Sequence, residues 1–165
     1  MNNFSRIHNI RIKFDRLLNK RFFDSYKMDK KISEPAYCPS CHAVYLNGRW
    51  QWKDKPREAK NIICSACHRK KDNYPAGTLL IKGSFLGDHI EQIINTIHNE
   101  EHRESSEHPM NKIINESYEE NIITVDTTDI HLPVRIGKAL KKSFGGKLKI
   151  NYAENENRVH VNWNR

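Results

Sequence analysis

Apolar side chains recur at helical intervals over residues 4–26, where Phe4, Ile7, Ile10, Phe14, Leu17, Leu18 and Phe22 form one stripe. Arg6, Arg11, Lys13, Arg16, Lys20 and Arg21 fill the other positions. The spacing predicts a basic amphipathic helix, with a charged solubilising tail as the alternative. Beyond Pro35 the period shortens. Val44-Tyr45-Leu46, Asn47-Gly48 and Arg49 to Trp52 read as strand, two-residue turn and strand, because Asn and Gly both tolerate the positive φ of a type I′ hairpin.

A short apolar run at Thr78 to Ile81 reads as a strand, and Asp88 then opens a helix with the stripe Ile90, Ile93, Ile94 and Ile97. His108 and Pro109 break that pattern. Ile113 and Ile114 mark a short second helical piece, and residues 122–125 read as a strand. Thr127, Thr128 and Asp129 offer helix caps, and Pro133 suits a first helical turn, where its missing N–H is not needed. The helix that follows buries Leu132, Ile136, Ala139, Leu140 and Phe144 and ends at Gly145-Gly146. Two alternating strands finish the chain, through Leu148, Ile150 and Tyr152 and through Val159, Val161 and Trp163.

These elements predict an α+β chain in three parts. A basic N-terminal helix or tail spans 1–33, a cysteine-bearing ribbon 34–74, and a small two-layer domain of order β-α-β-α-β-β 75–165. Composition narrows the function. Hydrophobic residues make up 37% of the 165 positions, which argues against a large buried enzyme core, and the net charge of +8 favours a polyanionic partner. Nucleic acid ranks ahead of an anionic membrane surface. The charge falls in blocks: the stretches 1–33, 34–72 and 124–165 are net basic, and 73–123 is net acidic. The basic blocks are therefore expected to touch an anion, while the acidic one faces solvent or a basic partner. No stretch approaches the roughly 18 apolar residues of a membrane span, and the start shows no secretory segment, so a reducing, cytoplasmic setting is expected.

In that setting four cysteines point to metal before disulfides. Cys38 and Cys41 form one CxxC and Cys64 and Cys67 another, so two tight knuckles bring four thiolates to one ion. One structural zinc fits, because it accepts four thiolates in a tetrahedron without redox chemistry. His42 and His68 each complete a CxxCH, the attachment motif of c-type haem. Covalent attachment needs export, however, and the hairpin between the pairs explains their spacing without haem. His98, Glu101 and His102 spell HxxEH, an inverted zinc-peptidase pattern; the surrounding polar sequence reads instead as a solvated helix end. Lys82 to Phe85 lack a phosphate-loop pattern and no GxSxG occurs, so no small-molecule substrate is expected.

Candidate nucleic-acid contacts cluster on the ribbon. Trp50 and Trp52 share a strand face and can stack on unpaired bases or pack the ribbon core, and Lys53, Lys55, Arg57 and Lys60 follow them. Arg69, Lys70 and Lys71 extend the second knuckle, and Arg135, Lys138, Lys141 and Lys142 form a basic arc on the late helix. Separate basic surfaces suit a large folded RNA; duplex DNA is the rival partner.

From Tyr37 to Trp163 the chain resembles small bacterial proteins related to the Nmd-three family of archaeal and eukaryotic large-ribosomal-subunit adaptors. The resemblance is carried by Cys38 to Cys41 with Gly48-Arg49-Trp50, by Cys64 to Cys67 with Asp72 to Gly77, and by Gly83-Ser84-Phe85 and Glu107-His108-Pro109. It is strongest from Thr127 to Leu132 into Arg135 to Leu140. In that family the position after each CxxC need not be histidine. The resemblance implies a cytoplasmic zinc protein that binds ribosomal RNA and proteins of the large subunit and performs no catalysis of its own. The resemblance covers one zinc site where the adaptors carry more, and it does not extend to their export and later β domains. The implied role is a factor that blocks functional sites on the ribosome, as in hibernation, or assists assembly.

Overall fold

The computed structural model describes Asp24, Tyr26, residues 32–154 and residues 156–165. The helix expected over 4–26 lies outside these residues apart from Asp24 and Tyr26.

The ribbon holds four short strands, β1 (Ala36–Tyr37), β2 (Val44–Leu46), β3 (Arg49–Gln51) and β4 (Lys60–Asn61), in the order β3-β2-β1-β4. β2 and β3 are antiparallel, joined by Asn47 at φ 53° and Gly48 at φ 75°, the left-handed pair a type I′ turn requires. Both turn amides donate to the Glu34 carboxylate, at 2.8 and 2.9 Å, which ties the hairpin tip to the start of the ribbon. α1 (Ser65–Asp72) starts at Cys64 and stops at Asn73, whose left-handed φ of 49° turns the chain out of the helix.

The rest of the chain forms one five-stranded sheet and two helices. β5 (Gly77–Lys82), β6 (Ile113–Glu119), β7 (Ile122–Thr127), β8 (Lys147–Tyr152) and β9 (Val159–Asn164) are ordered β6-β7-β5-β9-β8. Only the β5–β9 pair is parallel. α2 (Leu86–Glu107) and α3 (His131–Phe144) pack on one face. Alternation along the strands sends Leu79 and Ile81, Ile123 and Val125, and Val159, Val161 and Trp163 to that face. They meet Ile93 and Ile97 of α2 and Leu132, Ile136 and Leu140 of α3. Trp163 is fully buried and its indole N–H donates to the Gly145 carbonyl at 2.9 Å, so its one polar atom is satisfied. Gly137 lets α3 sit close to the sheet: a Cβ there would fall 2.8 Å from Leu148 Cδ1.

The sequence reading is corrected at three places. Ile113 and Ile114 belong to β6, not to a helical piece, so the domain runs β-α-β-β-α-β-β. The Glu101 carboxylate accepts the Ile113 amide at 2.7 Å, and the strand then pairs with β7 through a bulge between Ile113 and Asn115. α2 begins at Leu86, ahead of Asp88, and is kinked at His89. The acidic block is also engaged within the chain: Glu104 is buried and receives Arg135 Nη1 at 2.6 Å and Asn111 Nδ2 at 3.0 Å. No helix among the described residues is long and apolar enough to cross a membrane.

Candidate metal centre

Local folding brings the cysteine pairs together. After Cys41 the chain turns back through His42 at φ 67°, closed by the His42 amide on the Cys38 carbonyl at 2.8 Å and the Cys38 amide on the Ala43 carbonyl at 2.9 Å. The second pair spans the start of α1, where Cys64 Sγ accepts the Cys67 amide at 3.4 Å. Parallel pairing of β1 with β4 sets the two knuckles side by side, and the Cys64 amide donates to Cys38 Sγ at 3.4 Å. The four ligand sulfurs all lie within 4.8 Å of one another.

Geometry and donor chemistry both fit one metal ion. Metal–sulfur bonds of about 2.3 Å in a tetrahedron place the sulfurs about 3.8 Å apart, and Cys41 Sγ lies 3.7 Å from Cys64 Sγ. Cys38 and Cys64 are fully buried, with Cys41 and Cys67 half-buried. A hydrogen bond with Cys64 lowers the Cys41 thiol. The same bond, together with burial, pushes Cys64 up, and burial raises Cys67. An entering cation removes these conflicts by replacing shared protons with a central positive charge. The apolar support is small: Cys38, Cys64 and Ala66 are buried, with Trp50 and Met110 partly buried against them.

The other expected residues divide into several groups. Trp50 packs against the cysteine cluster and lies 5.4 Å from Tyr45, centroid to centroid. Trp52 is 44% exposed, with its indole N–H on the Ser105 carbonyl and Lys112 Nζ 5.3 Å from its ring. Lys53, Lys55 and Arg57 are exposed in the β3–β4 loop and Lys60 in β4; Lys55 also sits 4.5 Å over the Tyr37 ring. Lys70 and Lys71 are exposed at the end of α1.

Arg69 departs from the surface role expected of it. It is 5% exposed, because its guanidinium pairs with Asp24 and lies 4.5 Å over the Tyr26 ring. Arg135 is likewise occupied, bridging to Glu104 and Glu100 of α2. Lys138, Lys141 and Lys142 stay exposed. Lys142 lies about 16 Å along the helix axis from His131, and His131 shares a cavity wall with Tyr45 and Trp50 of the ribbon.

His98 Nε2 lies 3.0 Å from Glu116 Oε2, Glu101 holds the Ile113 amide, and His102 is exposed. Among the described residues the four cysteines are the group that brings metal-ligating atoms together. Sequence reasoning missed the Tyr37 hydroxyl on His42 Nδ1, beside the first knuckle, and the Asp24–Arg69 pair. The first was hinted at by the five-residue spacing of two polar aromatics; the second carries no local signal. No protein-family model, curated protein or solved structure matches the chain.

Proposed function

We propose that the chain is a zinc-ribbon RNA-binding factor that associates with the ribosome, on the large subunit or the intact particle. The observation that carries this reading is the convergence of four cysteine sulfurs in a ribbon whose β3–β4 loop exposes Lys53, Lys55 and Arg57. A bound zinc ion holds the knuckles and so fixes the loop, which presents positive charge to phosphates. The excess of 28 basic over 20 acidic residues supports a polyanionic partner. The motif resemblance to large-subunit adaptors favours ribosomal RNA and large-subunit proteins over other polyanions. On this reading the protein works in the cytoplasm by occupancy and not by catalysis, covering functional sites under stress or assisting assembly.

The test mixes the purified, zinc-loaded chain with purified large subunits, intact ribosomes or duplex DNA and measures pelleting as salt is raised. Pelleting with ribosomal particles that is lost steeply with salt supports the proposal, since released counterions supply much of such affinity. Preference for duplex DNA, or salt-insensitive pelleting, contradicts it.

A further inference from the structure

Both helices cover one face of the five-stranded sheet, and among the described residues no helix lies on the other. Strand register fixes what that open face displays. One cross-strand row runs Thr78, His160, Asn151; the next runs Leu80, Asn162, Lys149; the third runs Lys82, Asn164, Lys147. The β5-β9-β8 half thus carries lysines, amides and an imidazole and no acidic side chain. The β6-β7 half differs. Asp126 stands opposite Thr78, and Glu119 stands opposite Ile122. Glu154 and Glu156 lie in the β8–β9 turn, beyond the row that contains His160. Lys82 shares a cavity wall with Glu119 and Glu120, so the positive charge free of acidic neighbours on this face lies at the β8 edge, where Lys147 and Lys149 stand.

Gly137 packs on Leu148 of β8, so α3 covers the other face of this edge, and its exposed Lys138, Lys141 and Lys142 stand across the sheet from the β8 lysines. None of these α3 and β8 lysines makes an ion pair among the described residues. Lysines for phosphates and side-chain amides for base edges match the needs of unpaired RNA on a sheet surface.

We propose, building on the RNA-binding reading above, that the helix-free sheet face at its β8 edge is a docking surface for single-stranded RNA. Lys147 and Lys149 neutralise phosphates while Asn162 and Asn164 reach base edges. The site is distinct from the ribbon loop and gives the protein a second grip on a folded RNA.

Lysines on an edge strand also discourage pairing between copies. Lys147→Glu/Lys149→Glu separates the two roles, because it keeps the edge charged and reverses the attraction for phosphate. Binding of a fluorescein-labelled single-stranded RNA of about 12 nucleotides to the zinc-loaded full chain is followed by anisotropy between about 50 and 200 mM salt. The double variant is expected to lose about tenfold or more in affinity at low salt, and its salt slope to fall by about 1.4, near 0.7 for each lost phosphate contact. Glu119→Gln, on the acidic half, leaves binding unchanged. Wild-type binding that the double variant reproduces in affinity and slope overturns this surface while leaving the RNA reading intact. A wild-type chain that binds no RNA at low salt overturns the RNA reading itself.

Discussion

The indole N–H of Trp52 donates to the Ser105 carbonyl at 2.7 Å, across 53 positions of sequence, and fastens the ribbon to the last turn of α2. Lys112 lies over the same ring, and Ser65 Oγ meets Met110 Sδ at 3.8 Å nearby, so the joint is made of several modest contacts. Trp52 has a structural task even though it is half-exposed. Trp52→Phe replaces the indole with a smaller aromatic ring and removes the donor; because the bond is exposed, it should cost about 0.5–1 kcal/mol in urea unfolding without changing metal content.

Loss of metal should act on the ribbon first. Its strands are two or three residues long, and its buried apolar side chains are small: Ala36, Ala43, Val44 and Ala66 beside Cys38 and Cys64. Such a module draws its folding energy from the ion. Chelation, or Cys38→Ser, should abolish the near-ultraviolet dichroism of Trp50 while the far-ultraviolet signal of the five-stranded sheet persists. A thiol-reactive mercurial should release one metal ion per chain.

Metal affinity should fall as the pH is lowered. Cys64 and Cys67 have thiols raised above their ordinary range, the first chiefly by its bond with Cys41 and the second by burial. Each must surrender a proton when the ion enters, so acidification favours the metal-free form. With at least these two protons released, the apparent association constant should drop by at least about two orders of magnitude per pH unit in neutral solution. Competition with a chromophoric chelator across the neutral range measures this.

The ribbon was legible because its signal is local. Two CxxC motifs and an Asn-Gly turn dictate knuckles and hairpin within a few residues each. The amphipathic pattern of α3 was equally plain, with Leu132, Ile136 and Leu140 at helical spacing. β6 was hidden because it lies at the sheet edge. Adjacent Ile113 and Ile114 followed by the polar Asn115 to Glu119 give no clean alternation, and none of its residues is fully buried. Arg69 was misread for a different reason: its partner Asp24 is 45 positions away, so a side chain in a basic run gives no sign that it turns inward. The stretch Lys147 to Tyr152 gave a strand, but its exposed lysines acquired meaning only when register placed them beside Asn162 and Asn164.

Asp129 should respond to substitution in a pH-dependent way. Its Oδ2 accepts the His131 and Leu132 amides at 2.6 and 3.1 Å and so caps α3, while its buried Oδ1 has no partner. Burial raises its carboxyl above the usual range. A raised carboxyl pKa means the folded state binds the proton more tightly than the unfolded one, so this contribution favours folding at low pH and is lost as pH rises through the folded value. Asp129→Asn keeps a capping oxygen without the charge, and its stability relative to wild type should be greatest at neutral pH and shrink on acidification. Asp129→Ala loses the cap and should cost about 1 kcal/mol. Thermal melts from neutral to mildly acidic pH separate the two.

Sedimentation of lysates from growing and starved cells through sucrose gradients, at low and high salt with immunodetection of this chain, tests the central claim most directly. Comigration with large subunits or intact ribosomes at low salt, lost at high salt, is the predicted result. Absence from every ribosomal fraction in both growth conditions at low salt would contradict the account.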